Sequence, residues 1–376
     1  MKKAYKALPA FIFVIFIFAM LILFLVLPKS KYSSSEKRYL SDMPKFSSST
    51  LFSGEFGEKF ETYLSDHTAF RNFYVGLNAY YNLALGNNGS CGIYNCKNNY
   101  LVNDPCEYDR LSTNLDVIKE FAENTDIDTT VLIAPSTGYI CSDILPKNHL
   151  TYNDDKLFEL INKKLSSTHF ADIRNAFKSE YENGNQIYYK TDHHWTSYGA
   201  FVAYKELSDY LGYTANEKAI YDITSYDDFY GTTYSSSGFW LTPADKIEVW
   251  DNKSNDSYIT TTITDGANTI EQDDMFFYDH LTEDDKYPVF IDGNHPLTVI
   301  KNTNADSDKN LLIIKDSFAH SLTPFLADHY STITLVDMRY YKDKVSKLIE
   351  DNNYDQILFL YSIDNLSTDT DLVWLE

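Results

Sequence analysis

Basic residues are scarce in this chain: 32 Lys and Arg stand against 54 Asp and Glu, a formal net charge of -22. The acidic side chains are spread along the sequence rather than gathered in a tail. Phosphate backbones need clustered Lys and Arg, so nucleic acid is excluded as a partner. Adhesion to anionic headgroups is likewise disfavoured, and solubility is a sufficient reason for the charge. Cysteine is rare too. Cys91, Cys96, Cys106 and Cys141 contain no Cys-x-x-Cys pair, which argues against structural zinc. Outside the cytoplasm Cys91 and Cys96 could close a small loop and leave Cys106 and Cys141 to pair; free buried thiols are the other outcome. The Gly-x-Ser-x-Gly elbow of α/β-hydrolases is absent, and so is any internal repeat.

Long apolar runs are limited to one. Residues 10–27 carry no charge and match the length that crosses a bilayer core. Lys2, Lys3 and Lys6 precede the run and favour a cytoplasmic N-terminus, an asymmetry that Lys29 and Lys31 weaken. No small-x-small cleavage site follows, and no cysteine follows closely to accept a lipid. A single-pass signal anchor is therefore expected, with the remainder outside the cytoplasm; a cleaved signal peptide is the alternative.

What is present is a chain of 376 residues, 44% hydrophobic, long enough for a substantial core. Its 31 tyrosines are amphipathic and suit surfaces and clefts, though composition bias accounts for most of them. Four stretches are expected. Residues 1–28 form a cytoplasmic tail and membrane anchor, and 29–50 a polar, Ser-rich linker. Residues 51–90 are helical, with Phe56, Phe60, Tyr63 and Leu64, then Phe70, Phe73, Tyr74 and Leu77, at helical spacing. Asp66, His67 and Arg71 in this region read as a local ion pair. Residues 91–376 form the main domain. A hairpin is expected over 94–102, with Asn98 and Asn99 at its turn. Residues 311–314 are an uninterrupted apolar run that suits a parallel strand covered on both faces, 130–134 read as a buried strand, and 332–336 and 356–360 as further strands. Helices are expected over 157–165 and 198–211. This alternation implies a mostly parallel sheet between two helical layers. Residues 231–308 turn to Thr, Ser, Asn, Asp and Gly and read as a β-rich or irregular insertion.

Two segments carry the chemistry. The β-prone residues 186–189 lead into Lys190, Thr191, Asp192, His193, His194 and Trp195. The apolar run at 311–314 leads into Lys315, Asp316, Ser317 and a helix from about 321. A hydroxyl is a poor nucleophile at neutral pH and needs a base, and the base needs a partner that fixes its tautomer. Ser317, His194 and Asp192 supply those three roles. Loops at the carboxyl ends of strands are where open α/β sheets place their chemistry, and a serine near a helix start also favours developing anionic charge.

The Asp-His-His-Trp string at 192–195 resembles the signature of the bacterial DHHW proteins, which are similar to the alginate O-acetyltransferase group. In that group an Asp-x-His pair precedes the serine, and Asp192, His194 and Ser317 match that order. The resemblance extends to residues 36–40 and to Asp66, His67 and Arg71. Where ordinary SGNH enzymes read Gly-Asp-Ser, Lys315 replaces the glycine. The resemblance implies an SGNH-hydrolase-like three-layer α/β sandwich. It also implies a membrane-anchored enzyme outside the cytoplasm, moving acyl groups, most simply acetyl, to or from an envelope polysaccharide. No cofactor is implied. A multispanning membrane acyltransferase is the expected partner, because this chain has one candidate span and the acyl donor must reach the outer face.

Weaker assignments complete the site. Gly293 and Asn294 are candidate oxyanion donors, Arg339 a contact for a substrate oxygen, and Trp195 a packing residue or a stacking surface for a sugar. Ser136 follows a strand but has no basic neighbour in sequence, so it reads as a cleft residue. Two other functions stand against the acyl-transfer reading. One is a noncatalytic envelope-assembly or glycan-binding protein with the same fold. The other is a metal-dependent phosphoesterase using Asp192, His193 and His194, with Asp292, His295, Asp316 or His320 as further ligands.

Overall fold

The computed structural model describes residues 2–33, 36–254 and 258–375. At its N-terminus lie three long helices, α1 (Lys2–Val26), α2 (Glu55–His67) and α3 (Arg71–Ala84), with a short helical turn at Ser48–Phe52. Within the Ser-rich stretch, Tyr32–Ser33 pairs antiparallel with Arg38–Tyr39. Arg38 reaches across to Asp66 at 2.5 Å, and Arg71 pairs with Glu36. The ion pair expected around Asp66 is thus shared with Arg38, while Arg71 Nε stays 4.0 Å away.

Among the described residues the main sheet has eight strands: β1 (Asp128–Ala134), β2 (His169–Ala171), β3 (Ile259–Asp265), β4 (Asn268–Gln272), β5 (Leu297–Asn302), β6 (Asn310–Lys315), β7 (Thr332–Val336) and β8 (Gln356–Ser362). Their order is β4-β3-β5-β7-β6-β8-β1-β2. From β7 to β2 every pairing is parallel. From β4 to β7 every pairing is antiparallel.

The parallel part follows from its apolar runs. Successive side chains of a strand point to opposite faces. Leu311 and Ile313 of β6 enter one core, Leu312 and Ile314 the other. The helices that cover the sheet's faces are α4 (Leu111–Asn124), α5 (Asp154–Lys164), α6 (Arg174–Glu182), α7 (Ser197–Leu211), α8 (Ala319–Leu326), α9 (Val345–Asp351) and α10 (Ile363–Thr368), and short helical turns lie at Thr137–Ile140 and Thr232–Ser237. Phe177 of α6, Phe201 and Leu207 of α7, and Leu322 and Phe325 of α8 fill the first core. Leu115 and Ile118 of α4, Phe158 of α5, Val345 of α9 and Leu366 of α10 fill the second. This is the three-layer sandwich that the alternation implied. Each such side chain contributes about 1.5–3 kcal/mol through burial.

One expectation is corrected. Residues 186–189 form no strand; Tyr188 makes an isolated bridge to Trp195, which folds the loop back on itself. Of the two forms expected for the stretch 231–308 the β-rich one is seen, and its strands β3, β4 and β5 extend the main sheet. In β3, Ile259, Thr261 and Ile263 are buried and the threonines between them half-buried. Outside the sheet, Asp222–Phe229 pairs antiparallel with Asp245–Asp251. The hairpin near 94–102 forms from Ile93–Asn95 and Leu101–Asn103. All four cysteines are free thiols, with Cys96 and Cys141 buried.

Candidate active site

The loop 186–196 is pinned at both ends. The Thr196 N–H donates to Ile187 O at 2.8 Å, and the Thr196 hydroxyl caps α7 by accepting from Gly199 N–H at 3.1 Å. Beneath it, wholly buried Trp195 donates its indole N–H to Ser321 Oγ at 2.9 Å. Trp195 therefore supports the loop from below, and the sugar-stacking role is not available to it. This support turns Asp192 and His194 toward the end of β6.

Ser317 occupies the turn between β6 and α8. Asp316 holds that turn: one carboxylate oxygen accepts from Phe318 N–H at 2.9 Å, the other from Ser362 N–H, Ser362 Oγ and Asn365 Nδ2 at 2.7, 2.8 and 2.9 Å. Ser317 Oγ lies 2.6 Å from His194 Nε2, and His194 Nδ1 lies 2.5 Å from Asp192 Oδ1. An ionised carboxylate only accepts, so the ring proton sits on Nδ1 and Nε2 accepts from the serine hydroxyl. All three side chains are buried.

Asp192 has further partners. Its Oδ2 accepts from Thr232 N–H at 2.6 Å and Thr232 Oγ1 at 3.1 Å, and its Oδ1 from His194 N–H at 2.9 Å. Burial opposes its ionisation, yet the charges of His194 and His193 and these hydrogen bonds hold it well below the usual carboxylate range. Gly231 makes the approach feasible, for a Cβ there would stand 2.1 Å from Asp192 Cβ.

The base is also held face-on. Its imidazole stacks on Tyr287 at 4.0 Å between ring centroids and 11° between planes. His193 lies on it at 3.9 Å. The Tyr287 hydroxyl donates to Ser317 O at 3.2 Å, tying this ring to the serine. Desolvation and the neighbouring His194 push the His193 imidazole down to about 4, and its Nδ1 faces Thr232 Oγ1 at 2.6 Å rather than the serine. Thr232 and Tyr287 hold the candidate residues in place, and sequence reasoning missed both. Tyr287 is one tyrosine among 31 and carried no signal. Gly231 and Thr232 stand at the very start of the stretch read as an insertion, which was the available hint.

The remaining assignments fare unequally. Arg339 binds the Asp337 carboxylate at 2.8 and 2.6 Å and the Asn294 side-chain oxygen at 3.1 Å, so the two are committed to each other. Gly293 closes a turn of left-handed residues after Ile291 and Asp292. Neither Gly293 nor Asn294 lines the cavity beside the serine turn. The Ser317 backbone N–H, in contrast, has no acceptor among the described residues. Lys315, at the place of the usual glycine, is buried with its ammonium 2.7 Å from His320 Nε2 and 3.2 Å from Asp337. The Ser136 hydroxyl donates to the Asp154 carboxylate at 2.8 Å and has no imidazole partner among the described residues.

For a metal, ligand atoms of Asp192, His193 and His194 lie within 4.8 Å of one another. Both His194 nitrogens are engaged by Asp192 and Ser317, however. Asp292 is bound by His280 and His295 at 2.6 and 3.0 Å, Asp316 by the serine turn, and His320 by Lys315. The extra carboxylates of a metallophosphoesterase do not join the three.

A cavity of about 230 Å³ opens beside the site, lined by Ser136, Thr137, His193, Thr233, Phe318 and Asn365 among others. Through Gly138 and Tyr152 it adjoins a cleft of about 1080 Å³ that presents Tyr100, Tyr139, Tyr181, Lys178 and Lys190.

A parallel-centred three-layer sandwich, with a buried serine–imidazole–carboxylate line at the carboxyl end of a central strand, defines an SGNH-hydrolase-like α/β protein. The sequence model of the DHHW proteins matches residues 156–336, a span that contains Asp192, His194 and Ser317, and the resemblance to that group holds. Among solved structures, Bacillus cereus PatB1 with a sulfonyl adduct aligns at TM-score 0.64 and 23% identity, over 76% of this chain and 100% of that one. Another structure of PatB1 aligns at TM-score 0.62 and 25% identity, over 72% and 96% of the two chains. A DHHW family protein from Eubacterium siraeum aligns at TM-score 0.62 and 20% identity, over 75% and 94%. No curated protein matches the chain.

Proposed function

We propose that Ser317, His194 and Asp192 form a catalytic triad that moves an acyl group, in the simplest case acetyl, to or from a hydroxyl of an envelope polysaccharide. The observation that carries this reading is the unbroken relay from Ser317 Oγ to His194 Nε2 and from Nδ1 to Asp192, at 2.6 and 2.5 Å. Reach of about 2.6–3.2 Å is what proton removal from a hydroxyl requires. Ser317 Oγ attacks the acyl carbonyl and its proton passes to His194 Nε2. The tetrahedral intermediate expels the donor oxygen, which takes that proton, and the acyl group stays on Ser317. A sugar hydroxyl, or water in the esterase direction, then attacks while Nε2 accepts its proton, and Ser317 leaves with that proton. Asp192 offsets the positive charge on the imidazole at each step. The uncommitted Ser317 N–H is the donor suited to the developing oxyanion.

The Tyr-lined cleft supports the choice of a glycan, since aromatic faces and hydroxyls suit sugar rings. The apolar helix Leu8–Val26 supports a single-pass anchor with the site outside the cytoplasm. In that location an acyl donor must be delivered through the membrane, which a multispanning acyltransferase partner would do. The test is intact-mass analysis after incubation with an activated acetyl ester, and with a sulfonyl reagent of the kind that left an adduct on PatB1. Wild type should gain one acyl group, and Ser317→Ala none. Equal modification of both proteins would end the triad reading and leave a noncatalytic glycan-binding protein.

A further inference from the structure

We infer that the outer face of α3 rests in the outer leaflet of the membrane, so that the domain is held against the lipid surface rather than swinging on its anchor. The inference rests on the reading of Leu8–Val26 as a retained anchor. Phe70, Phe73, Tyr74, Leu77, Tyr81 and Leu85 recur at helical spacing and are all exposed. On an α-helix these positions form a single stripe about 120° wide. A soluble helix turns such a stripe inward, and α3 does the reverse. Exposed apolar stripes of this size mark a binding surface.

Composition points the same way. In a chain of net charge -22, no Asp, Glu, Lys or Arg occurs between Arg71 and Lys97. Trp240 extends the surface, stacking on Phe73 at 5.8 Å between ring centroids. Gly76 leaves room for it, since a Cβ there would meet the indole at 2.0 Å. Phe, Tyr and Trp are the side chains that populate membrane interfaces.

The occupant follows from the contact with α1. The Tyr74 hydroxyl lies 4.0 Å from Met20 Sδ, and the Tyr63 ring lies 6.0 Å from that of Phe24. Met20 precedes the helix end at Val26 by six residues, which at about 1.5 Å per residue is about 9 Å of depth. Helices that lie in a membrane interface bury their apolar face by about 5–10 Å. The same α1 that crosses the bilayer thus carries α3 to interfacial depth. The attraction is apolar, so it does not depend on anionic lipid and fits an acidic protein.

The full chain in phosphatidylcholine nanodiscs tests this. In a Trp374→Phe background, which removes the other exposed indole, replacing the lipid by one brominated along its acyl chains should quench tryptophan emission, and Trp240→Phe should abolish that loss, because Trp195 and Trp250 are buried in the domain. Emission indifferent to bromination, or an equal loss in Trp240→Phe, overturns the inference. In cells, a photocrosslinker at position 77 (Leu77→p-benzoylphenylalanine) should yield lipid adducts. Crosslinks to a protein alone would assign the face to a membrane partner instead, and no adduct would assign it to water; either overturns the lipid reading. Release of the chain by alkaline carbonate would overturn the anchor and this inference together, whereas retention without quenching overturns the inference alone.

Discussion

Gly231→Ala is the sharpest probe of the proposed triad, because it touches none of the three side chains chemically. The backbone at Gly231 has φ -88° and ψ -167°, which alanine tolerates. The effect is therefore steric. The new methyl carbon would stand 2.1 Å from Asp192 Cβ and 2.3 Å from Oδ2, where carbon contacts settle at about 3.5–4.0 Å. One of the two segments must yield by about 1.5 Å. The first bond to go is Thr232 N–H to Asp192 Oδ2, now 2.6 Å. The carboxylate then no longer holds His194 in line with Ser317. A misplacement of about 1 Å costs about 10²-fold in rate. Overpacking costs about 1–3 kcal/mol of stability, too little to unfold the domain outright. Hydrolysis of a chromogenic acetyl ester should fall about 10²-fold in kcat, with KM little changed. Thr232→Val, which keeps the N–H and removes the 3.1 Å hydroxyl bond to Asp192 and the 2.6 Å contact with His193 Nδ1, should lose much less. Unchanged kcat in a folded Gly231→Ala protein would refute the idea that this close approach aims the imidazole.

Three further outcomes are expected. His194→Ala should remove nearly all acyl transfer and His193→Ala should leave a measurable part, since His193 Nδ1 faces Thr232 and not Ser317; the same ester assay reads both. Arg38 lowers the Asp66 carboxyl from 3.8 to about 2, so the unfolded chain binds the extra proton. That contribution, about 1 kcal/mol once screening at half-exposed Arg38 is allowed for, is present above about pH 4 and lost as pH falls toward 2; urea midpoints of wild type and Arg38→Met should converge there. Thiol titration should find four reactive groups in denaturant but chiefly exposed Cys91 in the native protein, because burial pushes Cys96 up to about 12 and Cys141 higher still.

The parallel strands were legible because burial on both faces demands uninterrupted apolar runs, as at 311–314 and 357–360. The antiparallel strands were not. Thr260, Thr262 and Thr264 alternate with buried side chains, and their hydroxyls made the stretch look irregular. Asp192, His194 and Ser317 were legible because each sits in a short segment whose neighbours restrict its role. The groups that hold them were hidden by distance along the chain. Thr232 lies 40 residues from Asp192, and the Tyr287 hydroxyl bonds to a backbone oxygen 30 residues on. A threonine and a tyrosine announce nothing until folding places them. Trp195 was left between two readings for a related reason: an indole beside a site suits a ligand or a core, and only burial decides, here for packing beneath the loop.

The sheet order has a temporal consequence. Ser317 follows His194 by 123 residues, and β6 lies between β7 and β8, both later in the chain. The turn that carries Ser317 is also fastened by Ser362 and Asn365. A chain delivered N-terminus first, from the ribosome or across a membrane, thus holds its hydroxyl unarmed until its last strand arrives. Nascent and prematurely ended chains lack the strand and helix that fasten the serine turn, so the site is complete only once the end of the domain has been made.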